Sequence, residues 1–140
     1  MRVVLDTDVL VAALRSDRGA SRQLLLAALR KQIVLLLSVP LVIEYEAVLT
    51  RPEQLEVIGA TSEEIGAILD ALVAVAEPVR LSFRWRPALA DPADDMVLET
   101  AVNGTADLLV TFNRRDFAAA QPRFQLGLVS PGEALIRLKE

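Results

Sequence analysis

The chain has 140 residues, 15 Lys and Arg against 19 Asp and Glu, 53% hydrophobic residues and a mean hydropathy of +0.39. That is the size of one soluble domain around a single core, so one domain over 1–140 is expected. Cys and His are both absent, which excludes disulfides, thiolate or imidazole zinc sites and His-based nucleophilic triads, and leaves catalysis to carboxylates, Lys, Arg or hydroxyls.

A net charge of -4 lacks the basic footprint of a protein that grips nucleic acid through many phosphates, though it leaves room for an enzyme that holds nucleic acid transiently. Lys31 and Lys139 are the only lysines, and the remaining basic residues are Arg, the better fork for phosphate. Asp6 and Asp8 interrupt the apolar N-terminus, and the run IVLLLSVPLVI falls well short of the roughly 20 residues a membrane helix needs. A cytoplasmic chain without membrane contact is expected, in keeping with its lack of cysteine.

In chain order, Arg2 to Leu5 reads as a buried strand ending on Asp6, and VLVAALRS as the helix that follows. Ser21 or a neighbour caps a second helix through RQLLLAALRK, and Ile33 to Leu37 is an all-apolar strand of the kind covered on both faces. Ser38 caps a third helix with Pro40 in its first turn and Glu44 on its second. Leu55 to Ile58 makes a helical turn that Gly59 ends, and Thr61 with Glu64 has capping-box spacing before a helix that closes ahead of Pro78. Val79 to Phe83 reads as a weaker strand and RWRPALADPADD as a loop. Asp94 opens the helix MVLETAVNG, Asp107 to Thr111 is a strand, FNRRDF a polar loop and Leu126 to Val129 the last strand. Ser130, Pro131 and Glu133 then start a final helix. Such alternation gives βαβ units and an α/β three-layer sandwich, with a parallel sheet of about five strands and helices on both faces.

In such sheets ligands bind beyond the carboxyl ends of the strands, where Asp6, Glu44, Asp94 and Asp116 arrive from separate elements. Carboxylates gathered without a positive partner end with raised pKa values or with a divalent cation. Oxygen ligands alone suit Mg²⁺ or Mn²⁺, which can hold phosphate oxygens, activate water and stabilise the charge of phosphodiester cleavage, with one ion or two.

Four ordered pieces of the chain carry a resemblance. They are Asp6-Thr7-Asp8-Val9-Leu10, then Ser38 with Glu44-Tyr45 and Val48-Leu49, then Asp91-Pro-Ala-Asp94-Asp95 with Glu99 and Ala101, then Ala106-Asp107 with Thr111, Asn113 and Asp116-Phe117. In this order and spacing the chain resembles PIN-domain ribonucleases, above all the toxin components (VapC-like) of bacterial toxin-antitoxin pairs, over almost its whole length. The resemblance implies a Mg²⁺- or Mn²⁺-dependent endoribonuclease acting on RNA, restrained by an antitoxin protein and often a homodimer. It implies that Asp6, Asp94 and Asp116 ligate the metal, and that Glu44 supports them or acts as base for the attacking water. Thr111 and Asn113 match polar residues that hold a carboxylate or a phosphate oxygen. Asp8 stands where relatives commonly carry Asn, and Asn113 where some carry an acid. Register favours Asp94 over Asp95, and Glu99 can face either the site or water.

Each acid also has a structural role open to it: Asp6 as a helix cap, Asp91, Asp94 and Asp95 as a solvated first turn, Asp116 as a turn before a core Phe117. Arg114 and Arg115 can touch phosphates or only water, and Trp85 can stack a base or cover a core edge. Two other functions compete. One is a catalytically silent scaffold of the same fold that binds a partner. The other is a haloacid-dehalogenase-like phosphohydrolase with Asp6 as nucleophile and Asp8 as acid, which would need a lysine near the phosphate.

Overall fold

The computed structural model describes residues 1–82, 91–118, 124 and 126–140. The elements run β1 (Arg2–Leu5), α1 (Thr7–Arg15), α2 (Ala20–Leu29), β2 (Val34–Leu37), α3 (Val39–Leu49), α4 (Pro52–Ile58), α5 (Ser62–Val75) and β3 (Glu77–Pro78). They continue with α6 (Pro92–Asn103), β4 (Leu108–Val110), α7 (Arg114–Phe117), β5 (Gly127–Val129) and α8 (Pro131–Lys139). Among the described residues the strands form one five-stranded sheet in the order β3-β2-β1-β4-β5, every pairing parallel. Val3 on the central strand pairs with Leu35 on one side and Leu108 on the other.

The inner strands are apolar because helices cover both faces of the sheet: Val3, Val4 and Leu5 of β1 are at most 2% exposed, and Leu108, Leu109 and Val110 of β4 are equally buried. Helix α6 lies against β1, β2 and β4, while α8 lies against β4, β5 and α2. Helix α5 offers Ile65, Leu69 and Leu72 at helical spacing to the core, closed at its start by the Thr61 and Glu64 capping box. Gly59 ends α4 with φ of 76°, a left-handed conformation that glycine adopts without a Cβ penalty.

Several elements differ from the expectation. The third strand is Glu77–Pro78, a two-residue edge pairing set by β2, whose Leu37 carbonyl also accepts the Val79 N–H; of the strand expected over Val79 to Phe83, residues 79–82 are not strand and Phe83 lies outside the described residues. Helix α2 starts from Gly19, and Ser21 is buried inside the helix instead of capping it. Helix α6 starts from Asp91, whose carboxylate accepts the Ala93 N–H, so Asp94 falls in its first turn instead of opening it. The segment read as the loop FNRRDF contains a helical turn, α7, with Phe117 fully buried beneath it. Trp85 with its flanking Arg84 and Arg86 lies outside the described residues.

Candidate active site

Asp6 joins strand to helix. Its N–H completes the β1–β4 ladder on the Val110 carbonyl at 2.9 Å, and its own carbonyl accepts the Val9 N–H at 3.0 Å as α1 begins. One carboxylate oxygen takes the Thr7 N–H at 2.8 Å and the other takes the Thr111 hydroxyl at 2.7 Å. The side chain therefore caps α1 and is fixed at the carboxyl edge of the sheet at once, with only 6% of the residue exposed. Burial raises its pKa, opposed by the hydrogen bonds from Thr111 and Thr7. The carbonyl just before it, on Leu5, accepts the hydroxyl of the fully buried Tyr45 from α3.

Asp8 follows on the first turn of α1. One of its oxygens accepts the Asn113 amide at 3.0 Å and the Phe112 N–H at 3.3 Å, while the other, Oδ1, is buried with no hydrogen-bond partner. Burial and the charge of Asp6 push its carboxyl up to about 7. The Thr111 hydroxyl also accepts the Asn113 N–H at 2.9 Å, which ties the loop after β4 to both acids of the β1–α1 junction.

Asp94 is half-buried, and burial together with the charges of Asp6, Asp91, Asp116 and Asp95 pushes its carboxyl up to about 7. The charge of Asp116, exposed on α7, also raises Asp6. Asp6, Asp94 and Asp116 thus share one electrostatic neighbourhood. Glu44 lies in the adjoining open cleft of about 620 Å³, which it lines with Thr7, Asp8, Asp91 and Phe112. Among the described residues no three acids stand close enough to form a ready-made cation cage. Asp95 is only 2% exposed on the inner face of α6, and Glu99 on the same helix is fully buried, so the latter faces the protein rather than water.

The phosphohydrolase reading has no lysine to use: Lys31 precedes β2, at the opposite end of the strands, and Lys139 ends α8. Arg114 is paired with Glu133 at 3.0 Å. Phe112, unremarked in the sequence reading, is 55% exposed beside the acids, and its signal was an aromatic placed between Thr111 and Asn113.

A PIN domain family model matches residues 2–115, a span that holds Asp6, Glu44, Asp94, Thr111 and Asn113 and stops one residue before Asp116. No curated protein matches the sequence. Among solved structures, the chain is similar to a crystal structure of VapBC2 from Rickettsia felis bound to a DNA fragment from their promoter. That likeness has a TM-score of 0.62 and 20% identity, and covers 91% of this chain and 97% of the other. It concerns the fold alone. Since the family model spans well over half of the sequence, the chain belongs to the PIN domain family, whose members are nucleases that generally use divalent metal ions.

Proposed function

We propose that this PIN domain is a Mg²⁺- or Mn²⁺-dependent endoribonuclease that cuts RNA phosphodiester bonds and serves as the toxin of a toxin-antitoxin pair. The observation that carries this reading is Asp94, held near 7 by burial and by four other carboxylates, with no Arg or Lys among the groups that set it. A site built this way is short of positive charge, and its donors are hard oxygens in a chain without Cys or His, a set that suits Mg²⁺ or Mn²⁺ rather than zinc. The buried Oδ1 of Asp8, without a partner, is a further oxygen that fits a cation or a proton.

Asp6, Asp94 and Asp116 would hold the ion, which when bound would neutralise the acids, hold phosphate oxygens and offset the charge that builds up as the phosphodiester bond breaks. The chain's own residues do the rest. Thr111 and the Thr7 N–H fix the orientation of the Asp6 carboxylate, and Asn113 fixes Asp8. Glu44, across from no basic partner on its own helix and lining the adjoining cleft, takes the proton of the attacking water. The exposed Val39, Ile43 and Val73 around an apolar hollow of about 390 Å³ support a protein partner, antitoxin or second copy, in a cytoplasmic setting. An antitoxin that supplies an Arg or an apolar helix near the acids would silence the site as a counter-charge does.

The test is cleavage of a mixed pool of structured and single-stranded RNAs by purified protein with Mg²⁺, Mn²⁺ or EDTA, beside Asp6→Asn and Asp94→Asn. Cuts that need the metal and vanish in both variants are expected. Cuts that persist in EDTA or in the variants, or a pool left intact, would overturn the reading.

A further inference from the structure

At the end of the domain opposite the acids, we infer that the seam between α2 and α8 docks an acidic amphipathic helix of a protein partner. The seam is a hollow of about 570 Å³. Leu26 from one helix and Leu135 and Leu138 from the other form its apolar floor, and its exposed edge includes Gln23, Arg30 and Lys139. It lies at the amino edge of the sheet, because α2 ends just before β2 begins and α8 runs back from the carboxyl end of β5. None of its residues belongs to the acid cluster or to the apolar hollow around Ile43.

The floor exists because α2 carries more leucine than the core can take. Leu24 and Leu25 are at most 3% exposed, while a turn of about 100° per residue brings Leu26 out beside α8, where 36% of it is exposed. Leu135 and Leu138, three apart on α8, share one helix face and are themselves only partly buried. An apolar floor recessed between two helices suits a ligand that projects side chains into it. An amphipathic helix does so with anchors at i, i+3 or i+4, and i+7.

Charge sets the sign of the partner. From position 18 to position 43 the chain holds Arg18, Arg22, Arg30 and Lys31 and no acid, in a protein of net charge -4. Lys139 comes to the same pole from α8, so both lysines of the chain stand there. Helix dipoles account for part of this, since Arg30 sits at the C-cap of α2 and Lys139 in the last turn of α8. They do not account for leucines left in water between those cations. Of the acids on nearby elements, Asp107 accepts the Arg2 N–H, Glu133 pairs with Arg114 at the far end of α8, and Glu140 follows Lys139. Cations flanking an apolar floor complement a helix whose leucines are flanked by carboxylates. Nucleic acid matches less well, because the leucines offer a base no ring to stack on. A flat lipid surface does not reach a recessed floor.

The probe is a fluorescein-labelled helical peptide of about 18 residues, long enough to hold a helix, with Leu at i, i+3 and i+7 and Glu on both flanks. Its controls are a peptide of the same composition with the leucines scattered and one with Lys in place of Glu. Anisotropy is measured with wild type, Arg30→Gln/Lys139→Gln, Leu26→Ala and the charge reversal Arg30→Glu/Lys139→Glu, each checked for a wild-type melting curve. Expected are binding of the acidic peptide by wild type that weakens as salt rises, about tenfold weaker binding by the Gln pair and by Leu26→Ala, and no binding of the scattered peptide. The Lys peptide should bind the charge-reversed protein and not wild type. Amide shifts on adding the acidic peptide should fall on α2 and α8, and RNA cleavage by the Gln pair should equal that of wild type, so the two readings stand or fall separately.

Equal binding of the acidic peptide by wild type and the Gln pair would overturn the inference, as would shifts centred on Ile43 or on the acids. So would a wild-type protein that ignores the peptide, whether it binds nothing or instead sediments with phosphatidylglycerol vesicles, the latter giving this pole to a lipid surface.

Discussion

An acid crowded among acids is a liability for the fold, so replacing Asp94 with Asn should make the metal-free protein more stable. Folding raises the Asp94 pKa from 3.8 to about 7, which corresponds to about 4 kcal/mol against the ionised carboxylate at 1.36 kcal/mol per pH unit. The side chain is only half-buried and water screens it, so about half of this, ~2 kcal/mol, survives. The sign follows from the raised pKa. The protonated carboxyl favours the folded state below pH 3.8, and that stability drains away as the pH rises and is gone above about 7. Wild type should therefore lose stability between pH 4 and 7.5 in EDTA, whereas Asp94→Asn, neutral at every pH, should lose less. The two proteins should match near pH 4 and separate by ~5 °C in Tm at pH 8 for a domain of this size. Thermal unfolding followed by circular dichroism across that pH range checks it, and Mn²⁺ added at pH 8 should raise the wild-type Tm and leave that of Asp94→Asn nearly unmoved. An Asp94→Asn protein less stable than wild type at pH 8 without metal would refute the account of the cluster as unneutralised charge.

Thr111→Val removes the hydroxyl that donates to Asp6 and accepts from Asn113; a loss of about 2 kcal/mol in urea unfolding is expected, together with RNA cleavage reduced more than tenfold. Wild-type cleavage by this variant would show that Asp6 needs no orienting partner. Tyr45→Phe strips the donor from the Leu5 carbonyl in a fully buried setting and should cost about 1 kcal/mol by the same assay. Gly104→Ala would bring a Cβ to 2.9 Å from Leu36 Cδ1, Val79 Cγ2 and the Thr100 carbonyl, and since that carbonyl is held in α6, a lower Tm by about 2 kcal/mol equivalent is expected. An unchanged melting curve there would mean that α6 can move away from β2.

How much of this was readable in advance depends on whether the cause lay within a few residues. Strands β1, β2 and β4 declare themselves because burial on both faces demands unbroken apolar runs such as Val3-Val4-Leu5 and Leu35-Leu36-Leu37. The caps at Ser38, Thr61 and Ser130 are equally local, a side chain answering an amide three residues on. Strand β3 has no such signature: Glu77 and Pro78 are exposed and become a strand only because β2 offers an unpaired edge about forty residues earlier in the chain. The acids were legible as a set because the α/β rule puts Asp6, Asp94 and Asp116 at one sheet edge. Their ties were not. That Asn113 reaches back to Asp8, or that Thr111 secures Asp6, depends on a contact 105 residues long, and only the folded chain reveals it. Nor does composition tell that Glu99 is buried while Arg51 lines the cleft.

The place of β1 in the sheet sets how the site breathes. Asp6 leaves the one strand that has β2 on one side and β4 on the other, so amides around it can exchange with solvent only when the middle of the domain opens, at a free energy close to that of global unfolding. Asp116 is exposed on a helix of four residues that the buried Phe117 and the Arg114–Glu133 pair hold to the domain. The acids are therefore anchored unequally, Asp6 by the middle of the sheet and Asp116 by one short helix, and amides around Asp116 should exchange with solvent well before those around Asp6.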